Sequence, residues 1–146
     1  MANEDLLLRQ MPHSLEGEQA VLGSMLIDAD CVKDVMDKLR PSDFYLRQNR
    51  EIFETIYSMF NYSMTIDPVT VLDMLTRMGY YDEAGGRAYL FQLMEVTPGA
   101  RNVQEYVRIV RDKSLLRQLA DAGSEIQQNA LEAHGEASSI AELAEQ

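Results

Sequence analysis

The sequence predicts an all-α fold, a globular helical bundle of about five helices followed by a long helix that begins a projecting helical hairpin. Three observations carry this. Apolar residues return every three or four positions in one segment after another, the spacing of a helix face. No stretch shows the apolar/polar alternation of a half-buried strand. The connections between periodic segments are short, as between neighbouring helices of a bundle.

Residues 1–11 hold no sustained period and are expected to form a loose tail. A helical globular domain follows over 12–101. Ser14, after Pro12-His13, caps a helix whose apolar set is Leu15, Val21, Leu22, Met25 and Leu26 and which lasts until Asp28. Gly17 and Gly23 inside it cost about 1 kcal/mol each relative to Ala, and so point to close approach of another helix. A short second helix carries Val32, Val35, Met36 and Leu39 and is ended by Pro41. Ser42-Asp43-Phe44 connects it to a third helix, over 47–62, that buries Ile52, Phe53, Ile56, Tyr57 and Phe60. Asp67-Pro68, a capping residue followed by proline at the first helical position, starts a fourth with Val71, Leu72, Leu75 and Met78, and Gly79 stops it. Gly85-Gly86, beside Asp82 and Glu83, is expected to be a flexible turn into a short fifth helix with Ala88, Leu90, Phe91 and Met94, closed by Thr97-Pro98-Gly99.

Residues 102–146 are read as the long helix and the start of the second hairpin helix. Over 102–131 there is no proline, and Val103, Tyr106, Val107, Val110, Leu116, Leu119, Gly123, Ile126 and Ala130 keep helical spacing. Asn102 is a suitable N-cap, with Glu105 completing a variant of the capping box. Up to Leu119 the stripe is widened by Ile109 and Leu115, as burial against a globule requires; beyond Asp121 it narrows to Ala122, Gly123, Ile126 and Ala130, the pattern of an arm. Such a helix runs roughly 43 Å against a diameter of about 40 Å for a compact domain of this length, so one end is expected to project. Residues 133–136 break the pattern, and Ser139-Ile140-Ala141-Glu142 is a capping box that opens another helix. The arm is therefore expected to turn back as a hairpin, with a larger protein cut at Gln146.

A chain of 146 residues, 46% apolar, suits one domain with a core of its own. A net charge of −11 argues against a surface that neutralises nucleic-acid phosphates. Asp121, Glu125, Glu132, Glu136, Glu142 and Glu145 have no Lys or Arg among them, and the basic run Arg101, Arg108, Arg111, Lys113 and Arg117 reads as a solvated face paired with nearby acids. The single cysteine, Cys31, excludes an internal disulfide and a thiolate zinc cluster and reads as a small buried hydrophobe. Leu6-Leu7-Leu8 is short and follows Glu4 and Asp5, unlike a signal peptide, and no apolar run reaches the roughly eighteen residues of a membrane span. The expectation is a soluble, cytoplasmic protein without membrane contact.

The chemistry of an enzyme is not written here. No Gly precedes Lys and a hydroxyl residue as a phosphate loop requires. His13 and His134 lie far apart, so no metal is expected. Asp34 with Asp37, and Asp82 with Glu83, read as solvating charge on exposed faces rather than acid–base pairs. The nine methionines fall mostly at core phases. The residues by themselves describe a non-catalytic helical module with an arm built for association.

Pro12-His13-Ser14-Leu15-Glu16, Glu18-Gln19-Ala20-Val21-Leu22-Gly23, Asp43-Phe44-Tyr45, Asp67-Pro68-Val69-Thr70-Val71, Gly85-Gly86 with Ala88-Tyr89-Leu90, and Asn102-Val103 with Tyr106-Val107-Arg108-Ile109-Val110 stand in a specific order and spacing. Together they resemble the N-terminal domain of the bacterial replicative DNA helicase of the DnaB type, over 12–119. The resemblance implies hairpins paired between subunits into a trimer-of-dimers collar, docking of a DnaG-type primase C-terminal domain on that collar, and a helicase loader as a further partner. It also implies an ATP-dependent helicase motor beyond Gln146, so that ATP and magnesium belong to that part and no cofactor to this one. By position the primase contacts fall on Tyr89, Ala120 and Ile126, and the subunit interface on Ala122, Gly123, Ile126 and Ala130. Gly17 and Pro68 stand where such sequences often have Ala and Leu. The alternative is a free-standing helical adaptor or regulatory protein-interaction module of the same composition.

Overall fold

The computed structural model describes residues 11–132 and 142–145. Among them the fold is all-α: α1 (Leu15–Ile27), α2 (Val32–Lys38), α3 (Arg47–Asn61), α4 (Pro68–Arg77), α5 (Glu83–Val96) and α6 (Val103–Glu132), with 3₁₀ turns at Ala29–Cys31, Pro41–Asp43 and Ala100–Asn102. The chain divides into two compact units, one from His13 to Asp112, the other holding Met11 and Pro12 with the described residues from Lys113 onward.

In the first unit α1 is the central helix. The Ser14 hydroxyl oxygen accepts the Gly17 N–H at 3.0 Å and starts it, and every residue from Gly17 to Leu26 is buried. A helix enclosed on all sides must also bury its polar positions, which is why Glu18, Gln19 and Ser24 lie in the core. Leu15, expected inside, is 44% exposed, because it belongs to the first turn, before the neighbours close round the helix. Gly23 marks the crossing with α5: a Cβ there would lie 1.9 Å from Thr97 Oγ1 and 2.4 Å from the Leu93 carbonyl oxygen. Around α1 the core gathers Val35 and Leu39, Phe44 with Phe53 (ring centroids 4.6 Å apart), Ile56 and Met59, Val71 and Leu75, Leu90 and Leu93, and Val103, Val107 and Val110.

Helix ends follow local chemistry. At α4 the Asp67 carboxylate accepts the Thr70 N–H at 2.8 Å and the Thr70 hydroxyl oxygen accepts the Asp67 N–H at 2.9 Å, a complete capping box before Pro68. Gly79 ends it in the left-handed region, φ +75°, with the Tyr80 N–H donating to the Leu75 carbonyl at 3.2 Å. The end of α3 repeats that geometry with Ser63 at φ +55° and the Met64 N–H on the Met59 carbonyl at 2.9 Å. Phe60 and Met78, placed in the core by periodicity, are exposed because both stand in these terminal turns.

Two expectations at helix starts are corrected. Gly85 and Gly86 are not a flexible turn but lie inside the first turns of α5, which is capped by Asp82 accepting the Gly85 N–H at 2.6 Å. Gly86 is buried, and a Cβ there would stand 2.9 Å from Leu72 Cδ1 and 3.2 Å from Tyr81 Cβ, so the residue is small for packing rather than for bending. Ala88 and Phe91 of α5 face solvent instead of the core. Asn102 does not cap α6; it ends the 3₁₀ turn Ala100–Asn102 that runs straight into the helix, and Glu105 pairs with Arg108 at 3.2 Å.

α6 is one continuous helix of 30 residues. Its buried face consists of Val103, Val107, Val110 and Ser114, whereas Leu115, Leu116 and Leu119 are exposed, so enclosure ends a turn or more before the expected Leu119. The turn expected at 133–136 and the Ser139 cap lie outside the described residues, which resume as a helical turn at 142–145. The basic run is largely engaged: Arg108 with Glu105 and Asp112, Arg111 with the buried Asp43 at 3.6 Å, and Arg117 donating to the Pro12 carbonyl at 2.8 Å. The Cys31 thiol is buried, and burial followed by the charge of Asp28 pushes it up to about 11, so it stays protonated and unreactive at neutral pH. Among the described residues no helix is long and apolar enough to cross a membrane.

Candidate protein-docking surface

Tyr89 stands half-buried on α5, packed against the core. Its hydroxyl donates to Asn49 Oδ1 on α3. Asn49 is fully buried, and its Nδ2 donates to Glu18 Oε1 at 3.0 Å. Glu18 further accepts the Tyr45 N–H at 2.7 Å and the Leu46 N–H at 3.3 Å. His13 stacks on Tyr45 with ring centroids 4.4 Å apart. One buried carboxylate on α1 thereby organises the loop into α3, the Asn49 amide and the Tyr89 phenol. Tyr81 lies against Tyr89, ring centroids 6.3 Å apart, and burial, followed by the neighbouring Tyr89, pushes its phenol up to about 12.

The second surface lies on α6 in the other unit. Leu116, Leu119, Gly123, Ile126 and Ala130 alternate three- and four-residue steps, a mean period of 3.5 that keeps them on one seam. All are exposed, Ile126 at 39% less so than Leu116 and Leu119, and a Cβ built on Gly123 meets nothing within 4 Å. Ala120 and Ala122 flank the seam and are exposed as well; Asp121 and Glu125 supply charge beside it. A narrow apolar seam with a glycine at its middle suits close approach of another helix.

Of the residues singled out in sequence, Ala120, Ala122, Gly123, Ile126 and Ala130 fall on successive turns of α6, whereas Tyr89 belongs to the first unit, among Asn49, Tyr81 and the core. Sequence reasoning missed Glu18, Asn49 and Tyr81. A signal existed for two of them: Glu18 shares the helical phase of Leu22 and Met25, and Asn49 that of Ile52, Phe53 and Ile56, and a polar residue at a core phase must find partners inside. Among the described residues no group of His, Cys, Asp and Glu is placed to hold a metal ion.

The model of the DnaB-like helicase N-terminal domain family matches residues 10–112. The chain is 40% identical over 128 residues to the replicative DNA helicase DnaB of Leifsonia xyli subsp. xyli, covering 88% of this chain and 28% of that protein. It is 38% identical to that of Mycobacterium leprae, covering 82% of this chain and 20% of the relative. The chain therefore spans about a quarter of the length of the curated relatives it matches. Among solved structures it superposes on the N-terminal domain of DnaB helicase from Mycobacterium tuberculosis with a TM-score of 0.85 at 34% identity, covering 93% of this chain and 96% of that one. The N-terminal domain of DnaB helicase from Helicobacter pylori, described with its interactions with primase, shares the fold at a TM-score of 0.66 and 22% identity, covering 79% of this chain and 89% of that one. On the family match and the 34% identical structure alike, this chain belongs to the DnaB-like helicase N-terminal domain family.

Proposed function

We propose that the chain is the non-catalytic association domain of a replicative DNA helicase, pairing subunits through the α6 seam into a hexameric collar and docking a primase C-terminal domain. The observation that carries this reading is the exposed seam of Leu116, Leu119, Gly123, Ile126 and Ala130, which a lone helix leaves in water. The matched relatives, named replicative helicases, and the Helicobacter pylori domain described with primase support it. In this reading Ala122, Gly123, Ile126 and Ala130 meet another subunit, and Tyr89, Ala120 and Ile126 meet primase. ATP and magnesium serve the remainder of the protein, a helicase loader is a further partner, and the setting is the cytoplasm. The acidic surface, with a net charge of −11, favours protein partners over direct contact with nucleic acid.

Apolar anchors and charged rims differ in weight at such a surface. Tyr89→Ala and Ile126→Ala, each made in the full-length helicase, should weaken binding of the cognate primase C-terminal domain by about 2 kcal/mol or more, whereas Glu125→Ala should cost less than about 1 kcal/mol. Titration calorimetry, with oligomer integrity checked in parallel, reads the difference. Intact oligomers that bind primase with unchanged affinity in both anchor variants would return the two residues to ordinary packing.

A further inference from the structure

A tyrosine hydroxyl has one proton to donate, and that of Tyr89 is given to Asn49 Oδ1. Which way the Asn49 amide faces is set by Glu18, whose Oε1 accepts an Nδ2 proton at 3.0 Å and leaves Oδ1 turned toward Tyr89. Glu18 is held in turn by the Tyr45 and Leu46 amides. Tyr81 covers another side of the ring, and the absence of a side chain at Gly86 is what lets Tyr81 sit so close to α5. The Tyr89 ring is thus held at its hydroxyl and flanked by Tyr81 before any partner arrives, and a side chain ordered in advance loses less entropy on binding.

Resting on the reading that Tyr89 meets the primase domain, we propose that Asn49 is a positioning residue for that contact: it takes up the Tyr89 hydroxyl within the globule and presents the ring, not the phenol proton, to the partner. Asn49 is itself fully buried, so its effect on binding passes through the groups it holds, and the coupling to Tyr89 separates that route from the one through Glu18.

The test is a double-mutant cycle in the full-length helicase, with calorimetric affinity for the primase C-terminal domain as the readout. Asn49→Leu and Tyr89→Phe should each weaken binding about tenfold, and the double variant should be no weaker than either, because both remove the same hydrogen bond. Thermal melting runs alongside: loss of the Asn49–Glu18 bond lowers Tm in both Tyr89 backgrounds, so a purely structural role cannot imitate the coupling in affinity. Asn49→Ser is read the same way if Asn49→Leu does not fold. Losses that multiply, or an Asn49 variant that binds like wild type, would overturn the proposal. Tyr89→Ala separates the two failures. Unchanged binding there removes Tyr89 from the primase site altogether, whereas weakened binding with multiplying losses removes only the positioning role.

Discussion

Replacing Glu18 by Ala should destabilise the domain by about 3 kcal/mol or more, with a fall in Tm of about 10 °C. Three donors lose their acceptor at once: the Tyr45 and Leu46 amides and the Asn49 side chain. Asn49 is fully buried, so water cannot replace the lost oxygen there, and an unsatisfied buried donor costs the whole of its desolvation. Glu18→Gln retains one acceptor oxygen and should lie between the two. Glu16, two residues earlier on the same helix and exposed, is the control, and Glu16→Ala should change stability by less than about 0.5 kcal/mol. Chemical denaturation checks the series; a Glu18→Ala variant within 1 kcal/mol of wild type would mean that the network does not hold α1 to the loop before α3.

Gly23→Ala should be comparably damaging, at about 3 kcal/mol, for a steric rather than an electrostatic reason. The added methyl would overlap Thr97 Oγ1 at 1.9 Å and the Leu93 carbonyl oxygen at 2.4 Å. Thr97 cannot simply rotate away without loss, since its hydroxyl donates to that same carbonyl at 2.6 Å at the end of α5. Helix α1 must therefore move off α5, opening the core that both share. The same substitution at Gly123 meets open space and should instead favour the helix by about 1 kcal/mol. Denaturation midpoints of opposite sign at the two glycines would confirm the close crossing; similar midpoints would refute it.

What was legible in the sequence was chemistry that acts within a few residues. Ser14, Asp67-Pro68 and Gly79 mark helix ends through their own hydrogen bonds or backbone conformation, and each is found doing so. The all-α class followed from periodicity, which needs only one turn's neighbours. The failures share the opposite cause. A glycine pair looks like a turn unless the Leu72 and Tyr81 side chains that demand Gly86 are known. An apolar stripe shows that a face can be buried but not where its neighbours stop, hence the exposed Leu115, Leu116 and Leu119. Tyr89 and Asn49 are forty residues apart, and no local signal joins them. The seam on α6 was legible as a spacing, with its far end expected to stand open, whereas the exposure of Leu116 and Leu119 is visible only in three dimensions.

Sedimentation equilibrium of this chain beside its Ile126→Asp variant, with helical circular dichroism recorded on both, asks whether the α6 seam is an association surface. A carboxylate placed in the seam next to Glu125 should disfavour burial against another helix, while the core, built around α1, is untouched. The variant should show a lower apparent mass at moderate concentration with nearly unchanged helicity. An unaltered mass, or loss of the fold with the charge, would contradict an association role for the seam.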